Sequence, residues 1–320
     1  MSVIGVDLGG TKLAAAIFNN EGSILHRNVV SLEDRKGKGV GELITSEIDR
    51  QLSFGESADE SISAIGICIP GIYYAKTGCV WAPNIPEWEN YPLLDEVRRS
   101  VQDKNINVSI DSDRACYILG ETWQGSAQGC TDAVFLAIGT GIGAGILCDG
   151  RILRGYGDIA GALGWMGLQR PYREVYKSCG CFEYHASGEG MVKTAHDLLA
   201  QERAYSGFFD KLDPDKITTR DIFEARESGD RIAVRVIEEA IVHWGMAVAN
   251  IVSTFNPEKI IFGGGVFGPA AQYIDRITEE ARKWAQPISM KQVSIEVSSL
   301  GGDAGLVGAG RLALMEGLGK

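Results

Sequence analysis

Asp7-Leu8-Gly9-Gly10-Thr11-Lys12 stands between two apolar runs, Ser2–Leu8 and Leu13–Asn19, whose β-branched and small apolar residues read as strands. Gly9 and Gly10 let such a turn close tightly over an anion. Backbone N–H groups and the Thr11 hydroxyl can donate to phosphate oxygens, and Lys12 adds charge. Asp7, at a strand end, suits a hydrated Mg²⁺. Taken alone, the stretch is equally a Gly-Gly hairpin turn with a satisfied Asp. The same design returns later, where Ala133–Ile138 and Ala144–Cys148 flank Gly139-Thr140-Gly141-Ile142-Gly143. Two glycine-rich hairpins in duplicated positions carry more weight than one.

Outward from each hairpin the chain repeats a plan. After the first come a strand at Ser23–Val30, a helix at Val40–Leu52, a strand at Ile62–Ile69 ended by Pro70-Gly71, a short strand at Val108–Ile110 and a helix at Asp113–Thr122. After the second come a long apolar helix at Ala233–Phe255, a strand at Lys259–Phe262, a helix at Ala270–Trp284, a strand at Val293–Val297 and a closing helix at Ala304–Glu316. This predicts two α/β domains: residues 1–112, completed by a C-terminal helix at about 304–320, and residues 113–303. A cleft between two such domains is a natural ligand site. Gln169–Ser178 and Asp210–Thr219 read as loops.

Composition narrows the function. The 320 residues carry 31 Lys+Arg against 42 Asp+Glu, a net charge of −11, which argues against a nucleic-acid or anionic-membrane surface. No apolar run is long enough to span a bilayer, and the N-terminus has no basic leader, so a cytoplasmic protein is expected. The seven cysteines, an odd number that includes Cys68 and Cys148 in apolar strands, are expected as reduced thiols. The 41 glycines cluster beside apolar runs, the usage that lets backbone approach a ligand.

A third glycine cluster, Gly263-Gly264-Gly265-Val266-Phe267-Gly268, contains G-x-G-x-x-G between a strand and a helix. Only one convincing strand follows it, and no acidic residue lies at a strand end about 20 residues on, so a dinucleotide-binding dehydrogenase is disfavoured. A wall beside an adenosine fits better.

Together with Pro83-Asn84-Ile85-Pro86-Glu87-Trp88, Ile110-Asp111-Ser112-Asp113, Gly120-Glu121, Asn256-Pro257-Glu258 and Ala304–Gly310, these pieces resemble the ROK family of bacterial sugar kinases and repressors. The resemblance covers essentially the whole chain. It implies an α/β fold of two actin-like (ribonuclease H-like) domains around a central cleft, ATP and Mg²⁺ as cofactors, and a homodimer. Asp113 then matches the general base for the attacking sugar hydroxyl, whereas its plain structural reading is a helix N-cap. Asn84 matches the sugar-binding Asn, or else is a turn former beside proline. Gly71 and Ser112 fall with the substrate residues. Gly139, Thr140 and Gly141 join the Asp7–Lys12 loop on the phosphates, and Gly263–Gly265 borders the adenosine.

Three departures from the pattern stand out. Ser112 replaces the usual Asn before the base. Gly161-Ala162-Leu163-Gly164-Trp165 replaces a Gly-Glu-x-Gly-His element, so Ala162 and Trp165 occupy the positions of a sugar-binding carboxylate and imidazole. The zinc stretch is eroded: with Cys181 and Glu183 in register, Glu174 and Tyr176 stand where cysteines belong. A zinc-free protein is expected, because a structural zinc wants four ligands and Cys179, Cys181 and His185 supply three. Glu183 persists as a hydroxyl anchor. Trp165 either selects a modified, bulkier or less polar sugar or cyclitol over glucose, or fills the volume of the lost zinc knuckle. The expected activity is ATP-dependent phosphorylation of a sugar-like hydroxyl. A catalytically silent sugar sensor is the rival, and a repressor is disfavoured because the chain starts at the phosphate loop.

Overall fold

The computed structural model describes residues 1–202 and 204–317 and divides into two compact units. The first unit is built on a five-stranded sheet ordered β3-β2-β1-β4-β7, where β1 is Ser2–Leu8, β2 Lys12–Phe18, β3 Ile24–Ser31, β4 Ile62–Ile69 and β7 Asn107–Ser112. β5 (Ile72–Tyr74) and β6 (Cys79–Trp81) form a separate antiparallel hairpin. β1 is buried on both faces because it runs in the middle, which is why its sequence is nearly continuous in apolar residues. β3 lies at the edge and alternates. β1 pairs antiparallel with β2 and parallel with β4, so that Asp7 sits opposite Ala14 and Cys68.

Helix Lys38–Ser57 covers one face of this sheet with Val40, Ile44, Ile48 and Leu52, spaced for one helical side. On the other face lie the helices Asp113–Gln124 and Ala304–Gly317. They cross backbone to backbone: a Cβ on Gly308 would fall 1.8 Å from the Cys116 carbonyl oxygen, and one on Gly120 would fall 2.5 Å from that of Ala304. That crossing moves the expected boundary. The first unit runs from Met1 to Gly129, takes back Ile152–Ala160, and resumes at Ser299, so helix Asp113–Gln124 belongs to it and not to the second unit.

The second unit repeats the topology. β8 (Ala133–Ile138), β9 (Ile142–Cys148), β10 (Arg151–Ile152), β11 (Lys259–Gly263) and β12 (Ser294–Val297) are ordered β10-β9-β8-β11-β12. Its core helix, Arg231–Phe255, begins where the Asp230 carboxylate accepts from the amides of Ile232 (2.9 Å) and Ala233 (3.1 Å). It buries Trp244, whose Nε1–H donates to the Ala186 carbonyl at 3.0 Å. The helix expected at Ala270–Trp284 is split into a 3₁₀ turn, Pro269–Tyr273, and a helix, Ile274–Arg282. The loop expected at Gln169–Ser178 ends in a helical turn, Tyr176–Cys179. All seven cysteines are free; Cys68 is buried as expected, but Cys148, last in its strand, is exposed. Among the described residues no helix is long and apolar enough to cross a membrane.

Candidate functional site

In the first unit, β7 delivers Asp111 and Ser112 to the start of a helix. The Ser112 hydroxyl accepts from the Ala115 amide at 3.3 Å, so Ser112 is the N-cap and Asp113 the first helical residue. This corrects the capping reading of Asp113 and gives Ser112 its own role. The Asp113 carboxylate accepts from the Arg114 amide at 2.8 Å. Burial raises its pKa to about 6, against the pull of the Arg114 charge.

Asp7, at the end of β1, is likewise raised by burial, opposed chiefly by a hydrogen bond from Cys68. A Cβ on Gly305 would lie 2.9 Å from the Asp7 carboxyl oxygens, so the carboxylate abuts the first turn of helix Ala304–Gly317. The Gly9 amide donates to the Lys12 carbonyl at 2.9 Å and closes the hairpin, leaving Gly10, Thr11 and Lys12 exposed. Asn84 is exposed beside it; a Cβ on Gly10 would stand 4.0 Å from the Asn84 Cβ. The Asn84 loop is anchored by buried Trp88, whose Nε1–H donates to the Gly37 carbonyl at 2.9 Å. Gly71 lies against β6, where any side chain would strike the Trp81 carbonyl.

One pair here escapes sequence reasoning. Arg154 donates to the Asp111 carboxylate at 3.0 Å through Nε and 2.5 Å through Nη2, fastening Ile152–Ala160 to the strand that delivers Asp113. Asp111 is buried and Arg154 half exposed. Nothing in the local sequence around Arg154 signals this.

In the second unit, Gly139, Thr140 and Gly265 meet along a groove of about 1020 Å³, together with Gly188, Lys193, Thr219 and Arg220 and the apolar Ile217, Phe223 and Val266. Two of the predicted loops are thereby brought to one place. The Gly139 carbonyl accepts from the Gly188 amide at 2.8 Å, which docks the N-terminus of helix Gly188–Gln201 against the hairpin. Within the third glycine cluster the roles differ. Gly263 is buried against the Phe135 ring, Gly264 has φ +89° with the Ile138 carbonyl where a Cβ would go, and only Gly265 has open space beside it. Lys193, Thr219 and Arg220 were not legible, since they lie on helices that only the fold brings to the hairpin.

Glu183 is half-buried and accepts from the Ile142 amide at 2.6 Å; burial raises its pKa. Its carboxylate fills the space beside Gly141 and Gly164, bracing the hairpin against the turn Leu163–Trp165. Ala162 precedes that turn. Trp165 is 58% exposed and lines a second groove, of about 930 Å³, with Tyr172 and Tyr176. Tyr176 is buried among Cys179, Cys181 and Tyr184. Glu174 is exposed and ion-paired to Lys177 at 2.7 Å.

His185 does not join the two cysteines. Its Nε2 lies 2.8 Å from the Tyr176 hydroxyl, and its Nδ1 lies 2.7 Å from Glu239 Oε1. Among the described residues, the group of metal-ligating side chains that converges is His185, Glu239 and His243, whose donor atoms lie within 4.8 Å of one another. This replaces the Cys179–Cys181–His185 grouping.

Known proteins extend the picture. The chain is 30% identical to a glucokinase of Halalkalibacterium halodurans over 317 residues, 97% of this chain and 94% of the relative. It is 30% identical to a xylose repressor of Caldicellulosiruptor bescii, over 93% of this chain and 74% of the repressor. A crystal structure of a ROK family glucokinase from Streptomyces griseus, in complex with glucose and AMPPNP, superposes with a TM-score of 0.74 at 31% identity, over 98% of this chain and all of that one. The duplicated sheets are those of the actin-like ATPase fold. With the family's profile matching residues 3–316 as well, the chain belongs to the ROK family.

Proposed function

We propose that the chain is a kinase that transfers the γ-phosphoryl group of ATP to a hydroxyl of a sugar or sugar-like cyclitol. The observation that carries this reading is Asp113: a carboxylate held at a helix start, with a pKa of about 6, is matched to accepting a proton near neutral pH. In the step, the substrate hydroxyl gives its proton to Asp113 while its oxygen forms a bond to the γ-phosphorus. The bond from that phosphorus to the β-bridging oxygen breaks, and ADP leaves. Such transfer depends on positioning and charge neutralisation more than on covalent chemistry.

The first unit supplies the proton acceptor, with Asn84 beside the Asp7–Lys12 hairpin and the backbone at Gly71 as hydroxyl anchors, and the second unit adds Glu183. The second supplies the nucleotide groove, lined by Gly139, Thr140 and Gly265, where Gly139 and Gly265 present backbone without an obstructing neighbour. Asp7 fits a hydrated Mg²⁺: it is a hard oxygen donor at a strand end and forms no ion pair among the described residues. Bound there with the nucleotide, the metal would neutralise phosphate charge. Lys12, Thr11, Gly9 and Gly10 form the adjoining anion loop.

Specificity rests on Ala162 and Trp165. Alanine offers no hydrogen bond and an indole cannot accept one, whereas an exposed indole offers a flat apolar face. A hydroxyl left unpaired in the site costs roughly 1–3 kcal/mol, so glucose is disfavoured against a modified or less polar ring. The test is an ADP-release screen with ATP over hexoses, amino sugars, N-acetylated hexosamines and cyclitols. Turnover on at least one of them, abolished by Asp113→Asn, is expected. Saturable sugar binding with no turnover on any would assign the chain to the sensor role that its repressor relatives suggest.

A further inference from the structure

The helix that carries Glu183, Cys181–Ala186, meets the long core helix Arg231–Phe255 at a cluster that the proposed reaction leaves unused. Glu239 and His243 are one turn apart on the long helix and so project to the same side, where His185 faces them. The His185 and His243 rings stack at 4.7 Å, 8° from parallel, and both residues are 3% exposed.

The cluster is short of protons. His243 Nδ1 lies 2.8 Å from the Glu239 carbonyl oxygen, which can only accept, so Nδ1 carries the hydrogen and Nε2 is left as a lone pair. That buried Nε2 has no partner among the described residues. The Glu239 carboxylate, with Oε1 2.7 Å from His185 Nδ1, adds a second acceptor. A proton on His185 Nδ1 would satisfy Glu239 but leave His243 Nε2 unpaired. A cation placed among the three atoms satisfies them all.

We propose that His185 Nδ1, Glu239 Oε1 and His243 Nε2 form a binding site for one divalent transition-metal ion of the zinc type. Two imidazoles and a carboxylate are the donor set that suits such an ion. The Tyr176 hydroxyl on the far nitrogen of His185, and the Glu239 carbonyl on the far nitrogen of His243, fix both rings as outer-shell partners do. A groove of about 490 Å³, lined by Glu239, His243, Leu168, Gln169 and Met246, borders the cluster on its solvent side. The ion would clamp the Glu183 helix to the core helix and so take over, with nitrogen and oxygen ligands, the stapling that the eroded cysteine knuckle no longer offers.

The experiment uses untagged, full-length protein, stripped with a chelator and titrated with Zn²⁺ and with Co²⁺ as a spectroscopic probe. One equivalent per chain is expected, with X-ray absorption showing a nitrogen/oxygen shell, no thiolate charge-transfer band for Co²⁺, and a melting temperature that rises on metal addition. His243→Phe, which keeps the ring stack, and the half-exposed Glu239→Gln should each weaken binding by roughly 10–100-fold or more. Absence of saturable binding, sulfur ligation from Cys179 or Cys181, or unchanged affinity in Glu239→Gln would each overturn the assignment. Glu239→Gln and the wild-type spectra keep the test decisive if His243→Phe does not fold.

Discussion

The two sheets share one strand order, yet their hairpins are furnished differently. In the first, Asp7 pairs with Ala14 and Leu8 with Leu13; in the second, Ala137 pairs with Gly143 and Ile138 with Ile142. By register, Ala137 stands where Asp7 stands. The first loop ends on exposed Lys12, whereas the second has no charged residue and is backed by the start of helix Gly188–Gln201. The last strand of the first sheet runs straight into Ser112 and Asp113; its counterpart β12 ends at Val297 and is followed by Ser298 and Ser299. In the proposed reaction the residues at equivalent strand ends divide the labour: the first unit brings the carboxylates Asp7 and Asp113, and the second brings the groove lined by Gly139, Thr140 and Gly265.

The comparison breaks most directly at Asp113. Asp113→Asn keeps size and the hydrogen bond from the Arg114 amide but removes the proton acceptor, so kcat should fall by about 10²–10⁴. The Michaelis constant for ATP should hold within about two-fold, because the groove belongs to the other unit. In the wild-type protein, kcat/KM for the proposed reaction should fall about tenfold per pH unit below pH 6, where the carboxyl becomes protonated. Stability should move the other way. A carboxyl whose folded pKa is raised favours the folded state in its protonated form, so its penalty is absent below the ordinary value of 3.8. It then grows as pH rises to about 6 and is constant above. Asp113→Asn should therefore stabilise the protein at pH 8 by on the order of 1–3 kcal/mol, read by denaturant melts at pH 8 and pH 4. Unchanged turnover, or nucleotide affinity falling together with kcat, would remove the division of labour.

The second unit is tested by two neighbouring glycines. Gly265 has open space where a Cβ would go and lies on the groove, whereas Gly264 has a positive φ and the Ile138 carbonyl 2.4 Å from that position. Gly265→Val should leave the fold intact and raise the Michaelis constant for ATP by about tenfold, the loss of some 1.4 kcal/mol of binding. Gly264→Val should instead reduce soluble, folded protein. Equal effects of the two on nucleotide affinity in folded protein would mean that the groove is not where the nucleotide lies.

What the sequence discloses follows the range over which each signal acts. Strands β1, β4 and β8 are legible to the residue because burial on both faces leaves continuous apolar runs between turn residues. Ser112 reads only as a departure from a pattern until the helix start shows it capping. Arg154 and Arg220 carry no local signal, because their partners are set by tertiary folding. The i,i+4 pair Glu239/His243 is visible on a helix, but it is commonplace without His185, which arrives from another element. The Trp165 question stays open between specificity and packing: Tyr176 is buried beside Cys179, Cys181 and Tyr184, and Trp165 is exposed.

The smallest expected effect concerns that residue and sharpens what the second unit contributes beyond nucleotide binding. Ala162 precedes and Trp165 ends the turn that Glu183 braces through the space beside Gly164. With one Glu183 oxygen already accepting from the Ile142 amide, the proposed sugar site has fewer acceptors for a fully hydroxylated ring than the number of carboxylates suggests. Free glucose should therefore be a poor substrate, with the deficit in kcat/KM, since contacts missing from the ground state are missing from the transition state too. Ala162→Glu combined with Trp165→His adds a carboxylate and an imidazole without disturbing a buried side chain, because Trp165 is 58% exposed. Activity on glucose or a close epimer should rise by roughly 5–30-fold, the equivalent of one or two hydrogen bonds of about 1 kcal/mol each, while activity on the preferred substrate falls. Wild-type turnover of glucose equal to that of the best sugar would show that the exposed indole plays no part in selection.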